Sequence, residues 1–296
     1  MKQNTSAICW TIVLLACMTT AVHSWDYSQP LIIDHNFTDL GLIPAERIDS
    51  VQANQKFHYA HTSHGAQLTS GIRDIAQSNA LYQISIGARF LPDTPEAFCV
   101  FDGQEDISYV TPEEYWATST GLNKTRSVLD NNPSINASMW CWCGEIDEYT
   151  EAELQAYLDA ISLLESEYPD VVFIYMTQHA QTGDWFGYNR YLRNEQIRAF
   201  CRDNNKVLYD FADLDCWWYN PATLEWEYST YEYDGHIVPI EHPSFHGTEC
   251  YHTSDESCLQ KGKAFWWLVS LLEGGGQGDT LSVHETSWGE VKSLYR

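Results

Sequence analysis

Hydrophobic and polar residues alternate along the chain in blocks that predict strands followed by helices. The stretch 171–176 (VVFIYM) is continuously apolar, as in a parallel strand that helices cover on both faces. Before it, apolar residues recur every three or four positions between Thr150 and Pro169, which predicts an amphipathic helix. Thr150 and Glu153 match the pattern of a capping box at its start. The apolar stripe comprises Leu154, Tyr157, Leu158, Ile161 and Leu164.

Shorter blocks repeat this alternation. A strand is predicted over 57–60, and a helix with Leu68, Ile72 and Ile75 on one face begins near Gly65. Further strands are predicted over 82–86 and 207–211, and further helices over 189–202 and 259–272. Strands that alternate with helices predict an α/β fold with a mainly parallel sheet and helices on both sides. Ligands in such folds bind beyond the carboxyl ends of the strands.

Some segments fall outside the alternation. We expect a signal peptide (1–24), an N-terminal extension (25–55), an α/β domain (56–273) and a Gly-rich linker with a C-terminal tail (274–296). Within the domain, 88–137 contains four prolines and predicts long inserted loops. The second insertion, 216–248, is dense in Trp and Tyr and predicts a hairpin or an aromatic-lined loop.

The N-terminus has the pattern of a secretory signal. Lys2 precedes the apolar run 12–16, and small residues follow before Trp25. The run is shorter than the ~20 apolar residues that span a bilayer. The stretch 14–17 (LLAC) is also similar to a lipoprotein processing box, so lipid anchoring at Cys17 is the alternative to free secretion. We expect an extracellular or periplasmic protein without a membrane span.

Length and charge narrow the class of protein. The chain has 296 residues, of which 44% are hydrophobic, enough for a well-buried core. Its formal net charge is -25, and removal of 1–24 takes away Lys2 and no acid. So acidic a chain repels phosphate backbones and anionic membranes, which excludes a nucleic-acid role.

Seven cysteines lie outside the predicted signal, an odd number that leaves at least one thiol unpaired. Close spacing makes Cys250–Cys258 and Cys201–Cys216 the natural candidates for disulfides in an oxidising compartment. Cys141 and Cys143 are separated by a single residue, and they lack the two-residue spacer of redox and zinc motifs.

Ser63 is the first candidate for chemistry. It lies in His61-Thr-Ser-His-Gly65, where a strand gives way to a helix. Such a turn exposes a side chain beside the free N–H groups of the first helical turn, which can stabilise an oxyanion. Gly65 permits close approach of the backbone to a ligand. The structural alternative is that Ser63 caps the helix.

A serine nucleophile needs a base, and His252 is the best candidate. Glu249 stands three residues before it, where a carboxylate could orient the imidazole. Asp234 and Asp255 are the fallback acids.

These blocks resemble the SGNH/GDSL hydrolases, a superfamily of serine esterases. His61-Thr-Ser63-His-Gly65 is similar to the family's first block in its His-His-Ser-x-Gly variant, and Glu249-Cys-Tyr-His252 is similar to its last block, Asp-x-x-His. The Gly-Asp-Ser-Leu wording is absent, and Cys143-Gly144-Glu145 stands where the family has Gly-x-Asn.

The resemblance implies a three-layer α/β/α, flavodoxin-like fold and hydrolysis of a carboxylic ester without a cofactor. It implies oxyanion donors at the Ser63 backbone and at Gly87 and Gly144. The polar walls of the substrate site would be His61, His64, Gln178 and His179. Because many members of the family remove acyl groups from sugars, an acylated carbohydrate is the preferred substrate, either a small molecule or a polysaccharide.

Two other readings stay open. Histidine side chains suit zinc, so a metal-dependent hydrolase could draw ligands from His58, His61, His64, His236, His242, His246 and His252. Alternatively, the aromatics of 217–219 and 226–228 could form sugar platforms in a non-catalytic carbohydrate-binding protein.

Overall fold

The structure, a computed structural model, describes residues 28–274. The predicted signal peptide with Cys17 and the tail after Gly274 lie outside the described residues.

A parallel sheet of seven strands forms the centre of residues 28–274. Its strands lie in the order β1-β7-β6-β5-β2-β4-β3, and every pairing is parallel. They are β1 (Leu31–Ile33), β2 (Lys56–His61), β3 (Ile84–Ala88), β4 (Phe98–Asp102), β5 (Ala137–Cys141), β6 (Val172–Met176) and β7 (Val207–Tyr209).

Eight α-helices accompany the sheet in these residues. They are α1 (Ala45–Asn54), α2 (Ala66–Ser78), α3 (Pro112–Tyr115), α4 (Ser119–Asn131), α5 (Glu151–Glu167), α6 (Asp184–Asp203), α7 (Phe211–Cys216) and α8 (Asp255–Glu273). Helices α1, α2 and α8 pack together, and α5 packs with α6. The chain proceeds from β2 towards one edge of the sheet and from β5 towards the other, so right-handed crossovers put these groups on opposite faces. The fold is therefore a three-layer α/β/α sandwich, as predicted.

The strongest sequence patterns match the structure closely. Every residue of β6 is buried. At the start of α5, the Thr150 side chain accepts a hydrogen bond from the Glu153 N–H, and the Glu153 carboxylate accepts one from the Thr150 N–H, which completes the capping box. Helix α6 begins five residues before its predicted start at Asn189, and α8 begins at Asp255, where Ser254 caps it. The first turn of α8 is polar, so the apolar pattern of the sequence does not mark where that helix begins.

Two segments contribute more structure than their patterns suggest. The predicted loop insertion 88–137 contains β4, which pairs with both β2 and β3 inside the sheet, and helices α3 and α4. The predicted extension 25–55 contains β1, which pairs with β7 at the edge, and α1. Both segments thus belong to the sandwich. Strands of three to five residues are too short to show a period, which explains why they were missed.

The aromatic insertion forms two antiparallel hairpins, in agreement with the hairpin prediction. One pairs β8 (Trp217–Asn220) with β9 (Glu225–Tyr228), and the other pairs β10 (Thr230–Tyr233) with β11 (His236–Pro239). The chain after β11 returns to the sandwich, where the N–H of Glu241 donates to the carbonyl of Ala180.

Helices α2 and α8 cross at backbone contact. A Cβ added to Gly71 would lie 1.9 Å from the Cys258 carbonyl oxygen, and one added to Gly262 would lie 2.4 Å from the Gly71 carbonyl carbon. Cys250 and Cys258 form the predicted disulfide at the start of α8. The other candidate pair was wrong, since Cys201 and Cys216 are free thiols buried in α6 and α7.

Candidate functional site

The candidate site lies where the sheet order changes direction. Strands β2 and β5 are neighbours, and the chain leaves them towards opposite edges of the sheet. This junction, at the carboxyl ends of the strands, is where open α/β sheets bind ligands. Ser63 follows β2 and Cys143 follows β5, so their side chains emerge at the same point.

The turn after β2 is tight because Gly65 sits against the strand that precedes it. A Cβ at Gly65 would lie 2.2 Å from the His61 Cβ and 2.8 Å from the Tyr59 hydroxyl oxygen. The Tyr59 hydroxyl donates a hydrogen bond of 2.9 Å to the Gly65 carbonyl. The short 3-10 turn Ser63–Gly65 then leads into α2 and leaves Ser63 partly exposed. A side chain at Gly65 would push the turn away from β2.

Three polar side chains meet at this junction. The Ser63 Oγ lies 3.1 Å from the Cys143 Sγ, and the His64 Nδ1 lies 2.9 Å from the same sulfur. Cys143 is half-buried and not disulfide-bonded. The Cys143 thiol therefore contacts both the Ser63 hydroxyl and the His64 imidazole. No hydrogen bond between Ser63 and His252 occurs among the contacts of residues 28–274.

A second set of hydrogen bonds orients the His64 imidazole. Its Nε2 lies 2.8 Å from the Gln181 Oε1. The Gln181 Nε2 donates to the Glu241 Oε1 at 3.0 Å and to the His252 carbonyl at 2.8 Å. The Thr253 hydroxyl also donates to the Glu241 Oε1, at 2.8 Å. Thus a buried carboxylate fixes an amide, and the amide fixes the histidine.

Three imidazole rings stack across the site. The His64 ring lies between His179, at a centroid distance of 3.9 Å, and His252, at 4.7 Å. Burial lowers the pKa of His64, and burial together with His64 lowers the pKa of His179 well below its usual value. A smaller burial, followed by the charge of His64, lowers the pKa of His252. All three rings are therefore biased towards the neutral form at pH 7.

Glu241 is the titrating carboxylate of the site. It is 4% exposed, and burial followed by the charge of Asp215 raises its pKa to about 7. Asp215 in turn forms a fully buried ion pair of 2.6 Å with Lys261 and accepts the Ala180 N–H. This network ties the chain after β6 to α8.

The predicted Glu249–His252 pair does not form. The Glu249 carboxylate turns back and accepts the Thr248 N–H at 2.8 Å. His252 contributes its ring to the stack and its carbonyl to Gln181, with a left-handed backbone at φ 75°. Tyr251 is left-handed as well, at φ 46°. Two consecutive positive φ angles reverse the chain, so Glu249 and His252 do not lie on one face of a regular turn.

The fallback acids also lie elsewhere. Asp234 occupies the turn between β10 and β11, and Asp255 is the first residue of α8. Neither makes a hydrogen bond or ion pair with His252 among the contacts of the described residues.

The predicted oxyanion donors divide into two groups. Gly87 is paired in β3, which β4 separates from β2, so it lies roughly 10 Å from the Ser63 strand at the usual strand spacing. Gly144 directly follows Cys143, and no atom lies within 4 Å of the place where its Cβ would stand. Gly144 therefore borders the site on an open side, whereas Gly87 does not belong to it.

Of the four predicted polar walls, His64 is at the centre of the site, and the other three lie behind it. Gln178 is fully buried, Asn194 holds its backbone, and its side-chain amide has no hydrogen-bond partner among the described residues. The His61 Nδ1 lies 2.7 Å from the Thr62 carbonyl, and its Nε2 is 3.1 Å from the Asp102 Oδ1 without hydrogen-bond alignment. His179 forms the floor under His64.

The histidines proposed as metal ligands do not converge on one point, although His64 and His252 stack on each other. His58 is buried in β2 between Ser138 and the Gly103 carbonyl, and burial lowers its pKa to about 4. His236 and His242 stack on aromatic rings of other elements. In residues 28–274, the group whose ligand atoms converge, within 4.8 Å of one another, is Asp34, His35 and Asp213 at the ends of β1 and β7.

Most of the aromatic side chains of the β8–β9 hairpin pack against other residues of the protein. Trp217 stacks between His35, at 4.4 Å, and Tyr228, at 4.6 Å. Trp218 stacks on His242 and donates its indole N–H to Glu256. Tyr219 is the exposed member of its strand. A groove of about 620 Å³ lies at the opposite edge of the sheet, where it is bounded by the chain before β2, β5 and β6. Its lining, all within the described residues, has no histidine or cysteine.

Sequence reasoning missed three members of the site. Cys143 was set aside because its spacing from Cys141 matches no metal or redox motif. Its position directly after a buried strand was the signal that could have identified it. Gln181 and Glu241 lie in irregular segments with no pattern, and only the tertiary fold brings them to His64.

No protein-family model matches the chain, and no curated protein matches it. No helix among residues 28–274 is long and apolar enough to cross a membrane.

Proposed function

We propose that the protein is a hydrolase that cleaves a carboxylic ester by nucleophilic attack at the β2–β5 junction. One observation carries this proposal. The His64 imidazole lies between a nucleophile pair and an orienting amide, with Cys143 at 2.9 Å on one side and Gln181 at 2.8 Å on the other. A nucleophile, a base and a group that orients the base are the three parts that nucleophilic acyl transfer requires.

The base of this proposal is His64 in place of the expected His252. Its lowered pKa keeps it neutral at pH 7, so it can accept a proton. Ser63 stands beside the thiol at 3.1 Å and offers the hydroxyl of the expected serine mechanism. The backbone N–H groups of Ser63 and Gly144 would stabilise the oxyanion, and the space beside Gly144 is open.

An acylated carbohydrate is the proposed substrate. Large, exposed aromatic side chains lie near the site residues in the chain, namely Tyr251 directly before His252 and the contacting pair Trp185 and Phe186 shortly after Gln181. Flat apolar faces with polar edges suit sugar rings. Membership of the SGNH superfamily remains a proposal that rests on the position of Ser63, and secretion remains a proposal that rests on residues 1–24.

The test is hydrolysis of p-nitrophenyl acetate and butyrate by the mature protein. We expect turnover that His64→Gln lowers by about 10²–10⁴-fold, because a positioned base contributes that factor. His236→Gln is the matched control, since His236 is exposed in β11 and stacks on Tyr188 at 4.8 Å, away from the site. A chelator should leave turnover unchanged.

Three results would contradict the proposal. Equal turnover in wild type and His64→Gln would remove the β2–β5 junction as the active site. Loss of turnover with the chelator would favour metal-dependent hydrolysis. Binding of acylated sugars without turnover of any ester would favour a carbohydrate-binding protein on this fold.

A further inference from the structure

We propose that Cys143, and not Ser63, is the nucleophile, with His64 as its general base and Ser63 as a positioning residue. This inference rests on the proposed ester hydrolysis at the same site. It changes the expected intermediate from an ester of serine to a thioester of cysteine.

The proton positions follow from Gln181. Its side-chain nitrogen faces two acceptors, the Glu241 carboxylate and the His252 carbonyl, so its oxygen must face His64. A carbonyl oxygen can only accept, and the His64 Nε2 therefore carries the proton. In a neutral imidazole the Nδ1 is then an unprotonated acceptor, and it points at the Cys143 sulfur.

The thiol and the hydroxyl are not equivalent in this arrangement. Cys143 contacts the base directly, whereas the hydrogen bond of the Ser63 Oγ goes to the sulfur. A proton leaving Ser63 would have to cross the sulfur to reach His64. Thiols ionise far more readily than aliphatic hydroxyls, with an ordinary pKa of about 8.5, so the thiol gives up its proton first. The Ser63 hydroxyl can then donate to the thiolate and stabilise it.

The reaction balances with ester and water alone. The His64 Nδ1 removes the Cys143 proton while Sγ bonds to the carbonyl carbon, and the carbonyl π pair moves to oxygen. Collapse of the tetrahedral species breaks the bond to the alcohol oxygen, which takes the proton from His64 and leaves a thioester. Water then loses a proton to His64 and attacks the thioester carbon. The sulfur leaves, is reprotonated by His64, and the carboxylic acid is released.

Cys143 is also the accessible member of the described free thiols. Cys99, Cys141, Cys201 and Cys216 are buried, and Cys143 is half-buried beside the open side at Gly144. Burial raises the pKa of the Cys141, Cys201 and Cys216 thiols well above the usual value, so these are poor nucleophiles. Alkylation can therefore report on Cys143 with little background.

The experiment measures iodoacetamide modification of the folded protein between pH 5.5 and 8, with the modified cysteine identified by mass spectrometry. We expect Cys143 to react at pH 6 about tenfold faster in wild type than in His64→Gln, because the imidazole promotes the thiolate. The four buried thiols should stay unmodified. Cys143→Ala identifies the background. A rate in wild type no faster than in His64→Gln would overturn the inference.

Ester turnover supplies the second arm. We expect Cys143→Ser to lose at least about a thousandfold in kcat, as loss of a nucleophile does, while Ser63→Ala loses no more than about tenfold, as loss of one hydrogen bond does. Acid quenching should trap an acyl group on Cys143. Turnover retained in Cys143→Ser and abolished in Ser63→Ala would overturn the inference and leave the proposed hydrolysis intact. Fast alkylation that depends on His64, without turnover of any ester, would support the Cys143–His64 pair and refute the proposed function.

Discussion

Two clusters at the carboxyl edge of the same sheet both combine a histidine with acidic or polar groups, yet they differ in chemistry. The β2–β5 cluster comprises Ser63, His64, Cys143 and Gln181, and the β1–β7 cluster comprises Asp34, His35 and Asp213. In the β1–β7 cluster, the Asp213 Oδ1 accepts a hydrogen bond of 2.8 Å from the backbone N–H of His35. The same oxygen lies 2.6 Å from the His35 ring Nδ1. Trp217 covers the ring at 4.4 Å.

The electrostatics of the two imidazoles are opposite. Burial lowers the pKa of His35, but the charge and hydrogen bond of Asp213 outweigh it and leave that pKa raised. The pKa of His64 is lowered, since burial dominates and its direct partners are a thiol and an amide. An imidazole that is bound to a buried carboxylate and covered by an indole ring stabilises the fold, whereas a neutral imidazole beside a thiol can accept a proton. The chemistry of its partners, more than the presence of a histidine, therefore separates the β1–β7 cluster from the proposed active site at the β2–β5 junction.

The largest effect is expected from a substitution that breaks the β1–β7 cluster. Asp213→Ala removes a fully buried carboxylate from His35 and should lower the free energy of unfolding by about 3 kcal/mol. The kcat/KM for esters should stay within about twofold of wild type while the protein is folded, because breaking a distant packing cluster acts on stability. Urea unfolding and ester turnover of the same sample measure both. A loss of turnover without a loss of stability would assign the β1–β7 cluster to the reaction.

Each of the two regions contains one carboxyl group with a raised pKa, Asp34 in the β1–β7 cluster and Glu241 beside the β2–β5 cluster. Burial, followed by the charge of Asp213, raises the pKa of Asp34 to about 7, and the pKa of Glu241 is also about 7. At pH values between the ordinary carboxyl pKa and 7, each of these two groups is more often protonated in the folded protein than in the unfolded chain. Stability from these groups is therefore fully present below about pH 4 and is lost as pH rises through 7.

Asp34→Asn and Glu241→Gln should each flatten this dependence by on the order of 2 kcal/mol, measured as urea midpoints from pH 4 to 8. Only Glu241→Gln should alter the pH profile of turnover, because only Glu241 supports Gln181 and His64. Equal effects of the two variants on turnover would show that the clusters are coupled.

The smallest effect sharpens the role of the orienting amide. Gln181→Ala should lower kcat/KM by about tenfold, because one hydrogen bond to the base is lost. That hydrogen bond raises the pKa of His64, so its removal should move the acid limb of the kcat/KM profile to lower pH. Gln178→Ala is a poor control because Gln178 is buried, whereas Gln155→Ala is a suitable one because Gln155 is an exposed residue of α5. An unshifted acid limb would mean that Gln181 does not act through His64.

The fold was predictable to the extent that its elements carry a period or a cap. The buried run of β6 and the capped stripe of α5 follow from local patterns, and the alternation predicted the parallel sheet. Ser63 was predictable because a strand-to-helix turn is a local feature. The proposed base was not predictable, because the choice between His64 and His252 depends on Gln181 and Glu241, which reach the site through irregular segments of the chain. The pair Glu249 and His252 failed because two left-handed residues reverse the chain between them.

The crossing of α2 and α8 has a consequence for the entrance of the site. Helix α2 continues the turn that carries Ser63, and α8 begins beside the disulfide loop that carries His252. Because Gly71 and Gly262 bring the two backbones into contact, neither helix has room for a larger side chain at the crossing. An alanine at either glycine would push α2 and α8 apart and, with them, the loops that carry His64 and His252. The distance between these two loops, and with it the width of the entrance to the candidate site, is therefore determined by the contact between Gly71 and Gly262.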